Sequence, residues 1–251
     1  MQLTDDQVEI FERDGVVELG EVLSPDEVED LRARLERAFF DAAGCPRAEV
    51  RDLSELRDKP LTHAVLQRVN LHEADPEFER LARRPDLVAA MQRLFGSELR
   101  LFRDQAFYKP PRAGGELYMH QDNRYWHLDP PHGATIWIAL DPATVLNGCV
   151  HFIKGTQAIG RVEHRRAAAG ASILLEADVD RDLAVPIEVP AGHATVHHCQ
   201  TLHWSPPNRT THPRRAHTIV YMAADVSCRG EPTSAYPLLT QSESASAALH
   251  A

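Results

Sequence analysis

The chain has 251 residues, is 43% hydrophobic and 25% charged, and carries a formal net charge of −10. That composition belongs to a soluble globular protein and argues against disorder. The acidic balance argues against a nucleic-acid partner, which needs a surplus of Lys and Arg. No stretch approaches the ~18 uninterrupted apolar residues of a membrane span. The N-terminal run Met1-Gln2-Leu3-Thr4-Asp5-Asp6 lacks the basic and apolar regions of a signal peptide. Four cysteines without CxxC spacing read as reduced thiols of a cytoplasmic protein. The unusual count is histidine: of 14, 11 fall between His120 and His217, and imidazole is the commonest metal-ligating side chain.

In chain order, the first hundred residues read mainly as helices. Thr4 and Gln7 form a capping-box pattern, in which the hydroxyl accepts from the third amide of the helix and the amide side chain reaches back. Ser24 to Glu27 repeats the device, with Pro25 at the first helical position, where no donor is needed. Val28, Leu31, Leu35 and Phe39 recur at spacings of three and four, so one apolar stripe runs along a helix to about residue 41. Between these helices Gly15 to Leu19 reads as a short strand. Residues 42–60 are polar and Pro-punctuated and read as loop. Two further helices are expected near 77–83 and 86–95, the second closed by Gly96.

From residue 99 the texture changes. Short apolar or alternating runs lie at 99–108, 117–122, 134–140, 149–153, 172–175, 184–189, 194–199 and 216–224, separated by Pro, Gly and Asn. Eight such strands suggest a double-sheet jelly roll. The helical half, about 1–98, has little of its own to bury its stripes against, so it is expected to pack on one sheet of the core, about 99–226. The whole chain, 1–251, then forms one domain that is mainly β with flanking helices, and the tail from about 240 is expected to fray.

The densest chemical signal is His120-Gln121-Asp122. On a strand, residues i and i+2 share a face, so an imidazole and a carboxylate stand side by side while Gln121 points away. With one remote His they would make a 2-His-1-carboxylate facial triad. That set suits non-haem Fe(II) and leaves coordination positions open. The remote ligand has three candidates, His197, His198 and His203. His203 sits at a loop entrance before Pro206-Pro207; His197 and His198 alternate on a strand, one facing the core. Eleven residues past His203, Arg214 enters a largely apolar strand. A buried cation there needs an anion, and the planar guanidinium could hold a carboxylate bidentately.

Taken in order, His120-Gln121-Asp122, Asn147-Gly148-Cys149, Gly155-Thr156, Leu202-His203-Trp204-Ser205 and Arg214 resemble the phytanoyl-CoA dioxygenase family of Fe(II)- and 2-oxoglutarate-dependent oxygenases. The start, Leu3 to Gln7 with Phe11 and Asp14-Gly15, and Tyr108-Lys109-Pro110-Pro111 are similar too, so the resemblance spans roughly residues 3 to 226. It implies a double-stranded β-helix core with His120, Asp122 and His203 as iron ligands. Arg214 would hold the distal carboxylate of 2-oxoglutarate, with Gln105, Trp137 and Ser205 around the same co-substrate. It further implies O₂ as co-substrate and ascorbate as a reductant in vitro. This chain departs from relatives with an Arg-x-Ser pair, because Ala216 carries no hydroxyl. In halogenating relatives the carboxylate is replaced by a small residue, so Asp122 implies hydroxylation. Desaturation, epoxidation and ring closure share the ligand set, and a cupin-like metalloprotein without 2-oxoglutarate is the remaining alternative. The expected partner is a small-molecule substrate. Asn123, Trp126 and Phe107 are the candidates to contact it, with Arg124, Tyr125 and His127 at the pocket mouth.

Overall fold

A computed structural model describes residues 2–41, 50–53, 61–112, 115–167 and 173–239. The expected tail, 240–251, and most of the expected loop at 42–60 lie outside the described residues. Helix α1 (Asp5–Asp14) is capped by Thr4, whose hydroxyl accepts from the Gln7 amide at 3.1 Å. It ends at Gly15, whose φ of 72° is the left-handed conformation that glycine tolerates. Strand β1 (Val16–Glu21) follows, then α2 (Pro25–Phe40), capped by Ser24 with Pro25 at its start. Helices α3 (Pro76–Ala82) and α4 (Pro85–Phe95) lie where the apolar spacing predicts them, and Gly96 closes α4. The polar stretch expected as loop contains β2 (Val50–Asp52), and β3 (Leu66–Val69) follows; neither has enough alternation to stand out in the sequence.

The core strands are β4 (Leu99–Lys109), β5 (Leu117–His120), β6 (Leu128–Asp129), β7 (Gly133–Ala139), β8 (Val150–Ile153), β9 (His164–Arg166), β10 (Leu175–Ala177), β11 (Val185–Ile187), β12 (His193–His198), β13 (Leu202–Ser205) and β14 (Arg214–Ala223). Short strands β15 (Ser227–Cys228), β16 (Glu231–Pro232) and β17 (Leu238–Leu239) follow, and a one-turn helix, α5 (Asn123–Trp126), stands after β5. The major sheet has the order β1-β12-β7-β14-β4-β3-β2, with β17 also on β4, and the minor sheet has the order β11-β8-β13-β5. These two antiparallel sheets are the jelly roll.

Alternation along the major sheet divides its two faces. Ile136, Ile138, Val196, Ile219 and Tyr221 join Phe11, Leu31, Leu35, Phe78 and Leu87 in one apolar cluster, so the helices cover the outer face. Thr135, Trp137, His197 and Thr218 face inward, toward β8, β13 and β5. Polar groups on that inner face cost free energy unless they are partnered or used, and this is where the histidine-rich segments converge.

Candidate metal and co-substrate site

Antiparallel pairing of β13 with β5 sets His203 directly opposite His120. Their rings lie 4.3 Å apart by centroid. The His120 Nδ1–H donates to the Tyr118 carbonyl at 2.6 Å, and the His203 Nδ1–H donates to the Thr201 carbonyl at 2.9 Å. A carbonyl can only accept, so both rings are fixed with Nε2 unprotonated and free to ligate. Burial, then the neighbouring His120, pushes His203 down to about 3, so its imidazole stays neutral.

Asp122 completes the set, by a route the alternation did not foresee. Strand β5 ends at His120, and Asp122 has helical backbone (φ −56°, ψ −41°) at the start of α5. The turn, rather than an i, i+2 strand face, brings the carboxylate round. Its Oδ1 lies 3.6 Å from His120 Nε2 and 3.8 Å from His203 Nε2. All three ligand atoms lie within 4.8 Å of one another. The other oxygen, Oδ2, accepts from the Thr135 hydroxyl at 3.0 Å and from His197 Nε2 at 3.2 Å. Burial opposes ionisation of Asp122, but the surrounding histidines, with His197 donating to Oδ2, outweigh it and hold the carboxyl well below its ordinary value. Two neutral nitrogens and one anionic oxygen, each fixed by a second hydrogen bond, fit a divalent transition ion.

Of the other histidine candidates, His197 lies in the site but supports Asp122 rather than joining the ligand atoms. His198 points to the other face of β12, beside Phe11, and accepts from the Gln200 amide. His203 is on β13, not at the loop entrance that Pro206-Pro207 suggests.

The inner end of the cavity is cationic. Arg214 is 1% exposed, and its Nε and Nη1 have no hydrogen-bond partner. Its Nη2 reaches the Ser205 hydroxyl at a long 3.4 Å, and its guanidinium stands 5.3 Å from the Trp137 ring centroid. Burial lowers it to about 10, still cationic at neutral pH. Lys109, equally buried, donates to the Ser205 carbonyl at 2.9 Å and to the Pro206 carbonyl. Gly148 (φ 86°) keeps this corner compact, since a Cβ there would collide with the Pro206 carbonyl oxygen. No carboxylate pairs with Arg214 or Lys109 among the described residues. Aspartate pairing goes instead to Arg215, held by both oxygens of Asp141. A buried guanidinium without a counter-ion beside the three converging ligand atoms fits a dicarboxylate such as 2-oxoglutarate, while burial and Arg214 hold Lys109 well below its ordinary value.

Gln105, Phe107, Trp137, Ser205 and Thr218 line this slot. Phe107 and Gln105 also line the adjoining outer pocket, with Trp126, Tyr118, Tyr125 and Arg103. Asn123 does not. Its amide closes a loop on the Leu128 backbone at 2.8 and 3.1 Å, and it lines a separate cleft with Arg124 and His127. The one-turn helix after Asp122 turns those three side chains away from the pocket mouth. In the sequence Lys109 enters only through its motif, Thr135 not at all, and His197 only as a candidate ligand. The last two are register partners on β7 and β12, so only the pairing puts both beside Asp122.

Residues 11–216 match the family model described as phytanoyl-CoA dioxygenase. The chain is 27% identical over 257 residues to phytanoyl-CoA dioxygenase 1 of Oryza sativa subsp. japonica, covering 85% of this chain and 87% of that protein. The crystal structure of the 2-oxoglutarate-dependent carbocyclase SnoK of nogalamycin biosynthesis is similar, with a TM-score of 0.76, 25% identity and coverage of 95% and 97%. EvdO2 of Micromonospora carbonacea var. aurantiaca, solved with 2-oxoglutarate, has a TM-score of 0.71 and 28% identity, with coverage of 93% of this chain and 96% of that one.

Proposed function

Because the chain belongs to the phytanoyl-CoA dioxygenase family, and is thereby an Fe(II)- and 2-oxoglutarate-dependent dioxygenase, we propose that it hydroxylates an unactivated C–H bond of a small metabolite, releasing succinate and CO₂. In this reading His120, Asp122 and His203 ligate the iron and Arg214 holds the distal carboxylate of 2-oxoglutarate. The observation that carries it is the buried Arg214 guanidinium, with two unpartnered nitrogens, in the same cavity as three converging ligand atoms. When bound, the iron supplies the oxidative decarboxylation of 2-oxoglutarate by O₂ and the oxidising power for the C–H bond.

The protein's own residues do the rest. Tyr118 and Thr201 carbonyls fix the tautomers of the two histidines. Thr135 and His197 hold Asp122 Oδ2, which leaves Oδ1 to the metal. Trp137 lies beside the Arg214 guanidinium and excludes water from it. Ser205 does not replace the hydroxyl that Ala216 lacks: its own donates to the Gly148 carbonyl at 2.8 Å and accepts from Arg214. The Asp122 carboxylate fills the position that a halogenating site keeps vacant, which favours transfer of oxygen. Among the described residues no helix is long and apolar enough to cross a membrane. The four cysteines without CxxC spacing support a cytoplasmic placement.

The test is turnover with Fe(II), ascorbate, 2-oxoglutarate and candidate metabolites, read as succinate and as product mass. Hydroxylation adds one oxygen atom to the substrate. Loss of two hydrogens without added oxygen would favour ring closure or desaturation, a second reading that the similarity to the carbocyclase SnoK supports. Absence of succinate under all conditions would overturn the reading.

A further inference from the structure

The outer pocket contains a second guanidinium that the metal and co-substrate do not use. Arg103 is partly buried on β4, and its Nε is sealed from solvent without a partner. It makes no hydrogen bond or ion pair among the described residues; its Cζ stands 4.4 Å from the Phe102 centroid, and Arg51 on the same wall adds a like charge. Other arginines of the framework are paired: Arg34 with Asp75, Arg84 with Asp86, Arg181 with Glu176 and Arg215 with Asp141. A largely desolvated cation without a counter-ion is costly to keep. Burial pulls Arg103 below its ordinary value, as it does Arg214.

The backbone is shaped to aim this side chain. Along β14 and β4, Val220 pairs with Arg103 and Tyr221 with Leu101, so Phe102 is an extra residue with no register partner. This β-bulge breaks the alternation. Leu101 packs outward under the helices, while Phe102 and Arg103 both turn inward, and Asp104 turns outward again to His72 and His217. Bulges commonly re-aim a side chain next to an active site. Gln105 and Phe107 continue the same inward face.

The two unpaired guanidiniums stand at opposite ends of the cavity. Arg214 pairs with Lys109, six residues along β4 from Arg103, which at about 3.4 Å per residue separates their backbones by roughly 20 Å. The ligand triad lies between them, since His120 and Asp122 line both halves while Arg214 lines only the inner one and Arg103 only the outer. Asp122 is the one carboxylate among the described residues lining the outer half, and both its oxygens are already directed elsewhere. The remaining walls set apolar side chains, among them Leu53, Phe107, Trp126 and Leu174, beside Arg51, Gln67 and Gln105.

Resting on the dioxygenase reading above, we propose that Arg103 anchors an anionic group of the substrate, so that the enzyme takes organic anions, carboxylates or phosphate monoesters, with an apolar body. Arg214 holds the co-substrate anion at one end. Arg103 holds the substrate anion at the other, and the apolar body crosses the metal face.

The test is calorimetric binding to the anaerobic enzyme loaded with Fe(II) and saturating 2-oxoglutarate. The probes are isosteric pairs: 3-phenylpropanoate against 3-phenylpropanamide, cyclohexanecarboxylate against its amide, and phenethyl phosphate against phenethyl alcohol. A charge-assisted bidentate contact predicts that the anion of at least one pair binds ten-fold or more tightly than its neutral partner. The carboxylate and phosphate arms show which anion the site prefers. In Arg103→Met that preference falls to near unity, whereas Arg103→Lys, which keeps the cation, retains part of it. Equal affinity within every pair, no binding by any anion, or a preference that survives in Arg103→Met overturns the proposal. Succinate release by the wild-type enzyme is measured in parallel. Its absence indicts the dioxygenase reading, whereas its presence without an anion preference indicts only Arg103.

Discussion

Replacing Arg214 by Met separates what this residue costs the fold from what it gives the site. Without 2-oxoglutarate the wild-type protein keeps two guanidinium nitrogens buried and unpartnered. Each such orphan costs about 1–3 kcal/mol. Against this stand one long hydrogen bond to Ser205 and one contact with Trp137, the latter worth about 0.5–2 kcal/mol. Met fills a similar space with no polar atom, so the variant gains a net stability of about 1–2 kcal/mol. A domain of this size shifts about 2–4 °C per kcal/mol, so Tm in the absence of 2-oxoglutarate rises by about 2–8 °C. Affinity moves the other way. Two hydrogen bonds to a carboxylate at about 1.5–3 kcal/mol each total about 3–6 kcal/mol, which is about 10²- to 10⁴-fold in Kd. Thermal unfolding with and without 2-oxoglutarate, beside the KM for 2-oxoglutarate from succinate release, reads both signs. A Tm that falls in the absence of 2-oxoglutarate, or an unchanged KM, would refute the reasoning.

Two further outcomes follow from groups around the site. His197→Phe removes one hydrogen bond from Asp122 Oδ2 while keeping an aromatic ring against Phe152 and His203. Metal affinity should fall about 10–100-fold, measured by Mn(II) titration, with the fold unchanged by circular dichroism; unchanged affinity would remove His197 from the site. Behind the major sheet, buried Asp104 accepts from His72 Nδ1 at 2.6 Å and from His217 Nε2 at 2.9 Å. Burial opposes both charges, but the hydrogen bond and the opposite charge hold His72 above its ordinary value; Asp104 is held below its own by His217 and His72. Stability from the raised His72 is complete below the unfolded value of about 6.5 and is lost as pH rises through the folded value. That from the depressed Asp104 is complete above about 3.9 and is lost as pH falls through its folded value. The Tm difference between wild type and Asp104→Asn should therefore be widest between about pH 4 and 6.5, and a difference that grows toward pH 9 would contradict this pairing.

Much of the architecture is legible because local chemistry sets it. The capping boxes at Thr4 and Ser24, the stripe from Val28 to Phe39 and Gly96 after α4 each act within a few residues. Strands with long apolar runs, such as β7 and β14, are equally plain. What the sequence hides is decided by pairing. Strands β2, β3 and β13 are too short to alternate visibly, and they exist because a neighbour supplies their hydrogen bonds. The pair His120 and Asp122 is visible in sequence, but the turn into α5, not a shared strand face, brings the two side chains together. Asn123 carries a plausible polar side chain, yet its amide is consumed by the Leu128 backbone. The inward turn of Arg103 depends on a bulge at Phe102 that no residue pattern announces.

The central claim is that His120, Asp122 and His203 hold one divalent metal ion. Anaerobic calorimetric titration with Fe(II), in the presence of 2-oxoglutarate, tests it without requiring the substrate. The account predicts one equivalent bound by the wild-type enzyme, loss of that site in His120→Ala, Asp122→Ala and His203→Ala, and its retention in His198→Ala. Undiminished Fe(II) binding by any of the three ligand variants, or loss of the site in His198→Ala, would contradict it.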